Sequence, residues 1–162
     1  MKTIFLIRHA KSSWDNQLLK DHQRPLNKRG LSDAPIMGER LKKEYPPPEK
    51  IISSSAQRAK ETAEIIRGIW FPNKTIEFTD LLYEQPTSKI LSIIQNNQKE
   101  LNSIALIFHN PTVTHLGNLL GSLSISNIPT CGVLALSCPE KNWCSVEIGN
   151  CELINFDYPK KL

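Results

Sequence analysis

An arginine and a histidine stand side by side at Arg8-His9, directly after the run Thr3-Ile4-Phe5-Leu6-Ile7. A second arginine, Arg58, follows Lys50-Ile51-Ile52-Ser53-Ser54-Ser55, and a second histidine, His109, follows Ser103-Ile104-Ala105-Leu106-Ile107-Phe108. Each apolar run has the length and β-branched content of a short buried strand. In open α/β sheets, ligands bind in the crevice beyond the carboxyl ends of the strands. Three strand ends that bring two guanidiniums and two imidazoles to one sheet edge describe an anion pocket with a nucleophile inside it. Transfer of a phosphoryl group asks for this set, because its loose transition state spreads negative charge over three equatorial oxygens around an in-line attack.

Each junction alone also has a structural reading. Arg8 could cap the sheet with His9 in solvent, Arg58 could reach Glu61, and His109 could be a satisfied core histidine. Arg58 falls in the first turn of a helix whose apolar face is Ala59, Thr62, Ala63 and Ile66. A cation there opposes the positive end of the helix dipole, so an anionic partner is expected beside it. The three serines Ser53 to Ser55 are candidate N-caps for that helix, and Asn110-Pro111 for the helix after His109. That later helix carries Val113, Leu116, Leu119 and Leu120 on its buried face and should stop at Gly121. It is the coincidence of three junctions that favours a shared site.

The remaining elements are scaffold. Leu31 to Tyr45 reads as a helix, with Asn27 and Ser32 both suitable caps; capping at Asn27 puts Pro35 inside the helix, where it should bend it. Thr75 to Phe78 reads as a short strand, Thr87 opens a helix through Ile94, and Gly132 to Ser137 reads as a strand. Trp143 to Ile148 and Cys151 to Phe156 resemble a hairpin turning at Gly149-Asn150. Strands alternating with helices and ending in antiparallel strands give an α/β fold, a three-layer α/β/α sandwich with a mostly parallel sheet.

The order Arg8-His9, then Ser53-Ser54 with Arg58-Ala59 and Thr62-Ala63, then His109-Asn110-Pro111, resembles the histidine phosphatase superfamily, whose fold is phosphoglycerate mutase-like. Arg8-His9-Ala10-Lys11-Ser12-Ser13-Trp14, followed by Arg24-Pro25-Leu26-Asn27-Lys28-Arg29-Gly30, is similar to its compact SixA-type phosphohistidine phosphatases. The likeness runs from the first strand to the last. It implies that His9 is the nucleophile and becomes phosphorylated, while Arg8, Arg58 and His109 hold the phosphoryl oxygens. Nearby arginines favour the neutral imidazole that can attack, whereas bound phosphate would favour a protonated His109. Related enzymes often carry an acid after the third strand, which points to Glu84 as general acid; a solvent-exposed loop glutamate is the alternative. Arg24 either lines the phosphate pocket or pairs with Asp21 or Asp15. Lys11, Trp14 and His22 are expected at the mouth. Ala10 stands where many members have glycine.

Other chemistries have less support. The serines lack a Gly-x-Ser-x-Gly elbow and no cysteine sits in a Cys-x5-Arg loop. His9, His22, His109 and His115 form no HExxH-like array, so no metal and no cofactor are expected. Cys131, Cys138, Cys144 and Cys151 contain no C-x-x-C pair and read as unpaired, mostly buried small residues, disulfides being disfavoured in a reducing cytoplasm. With 162 residues and a net charge of +4, the chain suits one domain over 1–162, and lacks the dense basic runs of a nucleic-acid binder. No leader or membrane span is visible, which favours a cytoplasmic monomer without membrane or nucleic-acid partners. Larger relatives insert a lid subdomain, for which this chain has no segment long enough. An open site suits a phosphorylated side chain on a protein, such as that of a histidine phosphotransfer domain, better than a small phosphate ester or nucleotide. A non-catalytic module that binds phosphorylated partners is the alternative of another class, although it would have no need of a nucleophile.

Overall fold

The computed structural model describes residues 1–162. Six strands, β1 (Lys2–Arg8), β2 (Lys50–Ser54), β3 (Glu77–Thr79), β4 (Ser103–Phe108), β5 (Val133–Cys138) and β6 (Glu152–Asp157), form one sheet in the order β3-β2-β4-β1-β5-β6. The first four run parallel, β5 lies antiparallel to β1, and β6 antiparallel to β5. Helices α1 (Lys28–Glu44), α2 (Gln57–Trp70), α3 (Thr87–Gln95) and α4 (Thr112–Gly121) cover it.

Side chains alternate across the pleat, so one strand feeds two cores. Ile4, Leu6, Ile104 and Leu106 pack with Ile90 and Ile94 of α3 and with Val113, Leu116 and Leu120 of α4. Phe5, Ile7, Ala105 and Ile107 face the other way, onto Ala34, Met37 and Leu41 of α1 and Ala59, Ala63 and Ile66 of α2. Burial on both faces is why β1, β2 and β4 read as unbroken apolar runs. The result is a three-layer α/β/α sandwich.

Helix α1 begins at Lys28, earlier than Leu31, because the Asn27 side chain accepts from Gly30 N at 2.9 Å. Pro35 lies inside the helix, which continues through it to Glu44. Gly30 is required here: a Cβ at this position would sit 2.2 Å from the Lys11 carbonyl oxygen. The start of α1 thus rests directly on the segment that leaves β1.

Four local expectations are corrected. No serine is the N-cap residue of α2; Ala56 holds that position, and Ser54 Oγ accepts from Ala56 N at 3.2 Å. Asn110 does not cap α4 through its side chain, which instead bonds Asn127 Oδ1 at 2.7 Å, Ile128 O at 3.1 Å and the Thr114 hydroxyl at 2.7 Å. The C-terminal hairpin is absent: Trp143–Ser145 is a 3-10 turn with the Trp143 ring buried, and β6 pairs with β5. Finally, Cys138 and Cys151 form a disulfide. Ser137 pairs with Glu152, which sets the next residues opposite each other with Cα atoms 4.2 Å apart, close enough to bridge. Cys131 is free and buried, and Cys144 free and exposed.

Candidate active site

The carboxyl ends of β1, β4 and β2 lie side by side, with Arg8 in register with Phe108 and Ser53 with Ile107. His9 and His109 therefore leave adjacent strands, and their ring centroids are 5.0 Å apart. The His9 backbone is fixed by His9 N to Phe108 O at 3.1 Å and by Cys131 N to His9 O at 3.0 Å. Ala10, fully buried, donates its N–H to Thr62 Oγ1 at 2.9 Å, and Thr62 in turn donates to Arg58 O at 2.7 Å. That chain couples the turn after β1 to the first turn of α2, which carries Arg58. The structure thus brings Arg8, His9, Arg58 and His109 to one sheet edge.

His9 is buried, and its Nδ1 lies 2.7 Å from the Ala10 carbonyl oxygen. A carbonyl only accepts, so Nδ1 carries the proton and Nε2 keeps a lone pair. Burial pulls the His9 pKa down to about 3; the Ala10 bond partly opposes this, while Arg58, Arg8 and Arg24 add to it. His109 is likewise held near 3, by burial first and then by His9 and Arg58. Its Nε2 lies 2.8 Å from the Ser54 hydroxyl. Two polar atoms of the site, His109 Nδ1 and Arg8 Nε, are buried with no hydrogen-bond partner in the protein. Buried groups of this kind cost about 1–3 kcal/mol each when unsatisfied.

Arg58 does not reach Glu61, whose carboxylate accepts from Leu26 N at 2.8 Å. It donates instead to Asp21, through Nη1 to the backbone O at 2.7 Å and Nη2 to Oδ2 at 3.0 Å. Arg24 Nη1 donates to the other oxygen, Oδ1, at 2.8 Å, and the Tyr83 hydroxyl donates to Oδ2 at 2.6 Å. Desolvation pushes the Asp21 pKa up, but the bonds from Tyr83, Arg58 and Arg24 outweigh it and hold the carboxyl well below its ordinary range. Asp21 therefore remains ionised. Burial and the neighbouring carboxylate raise the Tyr83 phenol to about 12.

Arg24 is buried, with Nε donating to Ser13 O at 3.0 Å and its guanidinium stacked 3.3 Å over the exposed Trp14 ring. His22 lies near the rim, 2.9 Å from Ser55 Oγ. Glu84 is exposed at a positive φ of 52° and takes part in no hydrogen bond or ion pair, whereas its neighbour Tyr83 meets both Asp21 and the His109 ring, 5.4 Å between centroids. Sequence reasoning missed Asp21 as the junction of two arginines, and missed Tyr83, Ser54 and Thr62 as supports. The faint signal was Asp21 three residues before Arg24. No group of three or more His, Cys, Asp or Glu side chains is arranged to hold a metal ion.

Comparison with known proteins bears on this geometry. The sequence profile of the histidine phosphatase superfamily (branch 1) matches residues 4–89, more than half of the chain. This chain belongs to that superfamily. As a histidine phosphatase it is an enzyme, with the phosphoglycerate mutase-like fold. An uncharacterized protein of Mycobacterium leprae is 28% identical over 95% of this chain and 100% of its own length. A metal-independent phosphoserine phosphatase of Arabidopsis thaliana is 36% identical over 80 residues, covering 48% of this chain and 33% of that protein. A candidate phosphohistidine phosphatase SixA from Agrobacterium tumefaciens superposes with a TM-score of 0.81 at 28% identity, covering 98% of this chain and 99% of that one. The protein histidine phosphatase SixA in complex with tungstate shares the fold, with a TM-score of 0.82 at 21% identity and 97% coverage of both chains. No helix is long and apolar enough to cross a membrane.

The depressed imidazoles have a consequence for pH. In the unfolded chain His9 and His109 take up protons near 6.5, but in the folded protein only near 3. The unfolded state then binds more protons in that window, so their contribution to stability is complete above about pH 6.5 and is lost as pH falls toward 3. Imidazole NMR should show His9 and His109 staying neutral from about pH 7 to about pH 4.5, and His109→Asn should flatten the fall of Tm with acid. Ordinary titration of these two rings, near 6.5, would contradict this.

Proposed function

We propose that this histidine phosphatase is one domain without a lid that dephosphorylates a phosphohistidine side chain of a partner protein, with His9 as nucleophile and no metal. The observation that carries the mechanism is the His9 tautomer: Nδ1–H is spent on the Ala10 carbonyl, which leaves the Nε2 lone pair free on a ring that feels the charges of Arg58, Arg8 and Arg24. In the first step Nε2 bonds to phosphorus and the substrate P–N bond breaks, its electron pair staying on the departing imidazole, which leaves neutral because its other ring nitrogen carries a proton. In the second step water attacks the phosphohistidine, releasing phosphate and restoring His9. Arg8 and Arg58 face the equatorial oxygens. With the Ser54 hydroxyl donating to Nε2, a neutral His109 presents Nδ1–H as a further donor.

The substrate class follows from what the site does not offer the leaving group. Asp21 is ionised, the Tyr83 hydroxyl is engaged with it, and Glu84 bonds to nothing in the site. An alkoxide needs a proton donor to depart, whereas an imidazole is a good leaving group that departs with little help. The likeness to SixA proteins supports the same reading. The local match to a phosphoserine phosphatase favours a second one, hydrolysis of a small phosphate ester. The test compares kcat/KM on a phosphohistidine phosphotransfer domain with that on phosphoserine and p-nitrophenyl phosphate. The phosphoprotein should lead by about 100-fold or more, because remote contacts position it; a lead for phosphoserine would overturn the assignment.

Asp21 has a place in this scheme as a positioning residue. It fixes Arg58 against the pocket without consuming all of its N–H groups. Asp21→Asn keeps the volume but sets an amide against two guanidiniums, so kcat/KM should fall about tenfold, the order expected for one charge-assisted contact. Tm should fall as well, and Asp21→Glu should restore less than full activity because the longer arm shifts both arginines. Full activity in Asp21→Asn would remove it from the site.

A further inference from the structure

Arg8 stands next to His9 at the end of β1, donates through Nη1 to Ile128 O at 2.9 Å, and lines a hollow that His9, Arg58 and His109 do not line. The loop ahead of β5, the first turns of α1, Lys11 and the C-terminal segment around Lys160 enclose this open hollow of about 310 Å³. Four cations, Arg8, Lys11, Arg29 and Lys160, line it against one carboxylate, Asp33. Asp33 is shared with Arg29 at 3.8 Å, and Arg29 Nη2 also donates to Thr130 Oγ1 at 3.1 Å, which holds that guanidinium against the wall. Lys11 and Lys160 have no ion-pair or hydrogen-bond partner through their side chains. Arg8 has its pKa lowered by burial and then by Arg29, a sign that the two like charges feel one another.

A solvated basic face would spread such charges over a convex surface. Here segments far apart in the chain converge on a concavity, and Gly30 against the Lys11 carbonyl keeps two of its walls in register. We infer that this hollow is a second anion subsite, continuous with the phosphoryl pocket through Arg8. It takes a carboxylate or phosphate of the substrate lying next to the phosphoryl group that is cleaved. On the reading of the substrate proposed above, the occupant is an acidic side chain that flanks the phosphohistidine of the partner protein. Specificity then comes from a pair of anions, one cleaved and one held, and the electrostatic pull operates mainly on binding.

Two phosphohistidine peptides of equal length test this, one with Asp and Glu beside the phosphorylated residue and one with Ser there. The wild-type enzyme should favour the acidic peptide about tenfold in kcat/KM, mostly through KM, and salt should erode the advantage. Arg29→Ala/Lys160→Ala, which changes two exposed side chains, should erase the preference and leave the neutral peptide and p-nitrophenyl phosphate unaffected. A parallel measurement compares inorganic tripolyphosphate with inorganic phosphate as competitive inhibitors of p-nitrophenyl phosphate turnover. Tripolyphosphate should bind more tightly to the wild type and lose that advantage in the double variant. Equal handling of the two peptides with no tripolyphosphate advantage would overturn the subsite while leaving the phosphohistidine assignment intact. Failure to hydrolyse either peptide, with the tripolyphosphate advantage present and variant-sensitive, would uphold the subsite and overturn that assignment.

Discussion

His9→Ala should abolish turnover, with a loss of about 10⁴-fold or more, the scale seen when a covalent nucleophile is removed from a site whose other groups remain. His9 alone combines a buried imidazole with a proton committed to a backbone carbonyl and a free Nε2. Rapid alkali quench with ³²P-labelled substrate should trap a base-stable phosphoenzyme in the wild type that loses its label on acid treatment, and none in the variant. His9→Asn, which retains a donor for the Ala10 carbonyl, should fold as the wild type does and be equally inactive. Label on a serine, or turnover surviving in both variants, would rule out the mechanism. The neighbouring imidazole cannot substitute, because His109 Nε2 is occupied by Ser54.

How much of this was legible in the sequence depended on the range of the forces involved. β1, β2 and β4 were readable because parallel strands buried on both faces must be apolar throughout, and the residue after each such run falls at the ligand edge by topology. The short β3 and the largely exposed β6 carry little of that pattern. Trp143 to Ile148 mimicked a strand because a buried tryptophan in a 3-10 turn resembles one inward-facing position of a period-two pattern; its Nε1 is satisfied by Leu101 O at 2.8 Å, a partner distant in sequence. The Cys138–Cys151 bond depends on the register of β5 against β6, which cysteine spacing does not encode. Asp21 shows the same limit within the site. It is one of several acids in a polar loop, and only folding shows that Arg24, Arg58 and Tyr83 converge on it.

That convergence makes Arg58→Lys the most discriminating conservative change. Lysine preserves the charge at the first turn of α2 but replaces a planar fork with one compact ammonium. In the wild type the fork spans the Asp21 carbonyl and carboxylate and has N–H groups to spare for a phosphoryl oxygen. An ammonium drawn to Asp21 cannot hold both contacts and an equatorial oxygen in the same geometry. We expect kcat/KM to fall about 10²-fold or more, comparable to losing one preorganised donor to developing charge. The loss should appear in kcat and be similar for phosphoprotein and p-nitrophenyl phosphate, because the equatorial oxygens are common to both. Stability should also fall, by about 1 kcal/mol for the weakened bond to Asp21, measurable as a lower denaturation midpoint. The double variant Arg58→Lys/Asp21→Asn separates the two contributions. If Arg58 works through its anchored geometry, the double variant should be scarcely slower than Arg58→Lys alone, since the second change removes support already lost. Near-normal turnover in Arg58→Lys would assign the arginine to fold stability alone and leave Arg8, Arg24 and His109 as the groups around the phosphoryl oxygens.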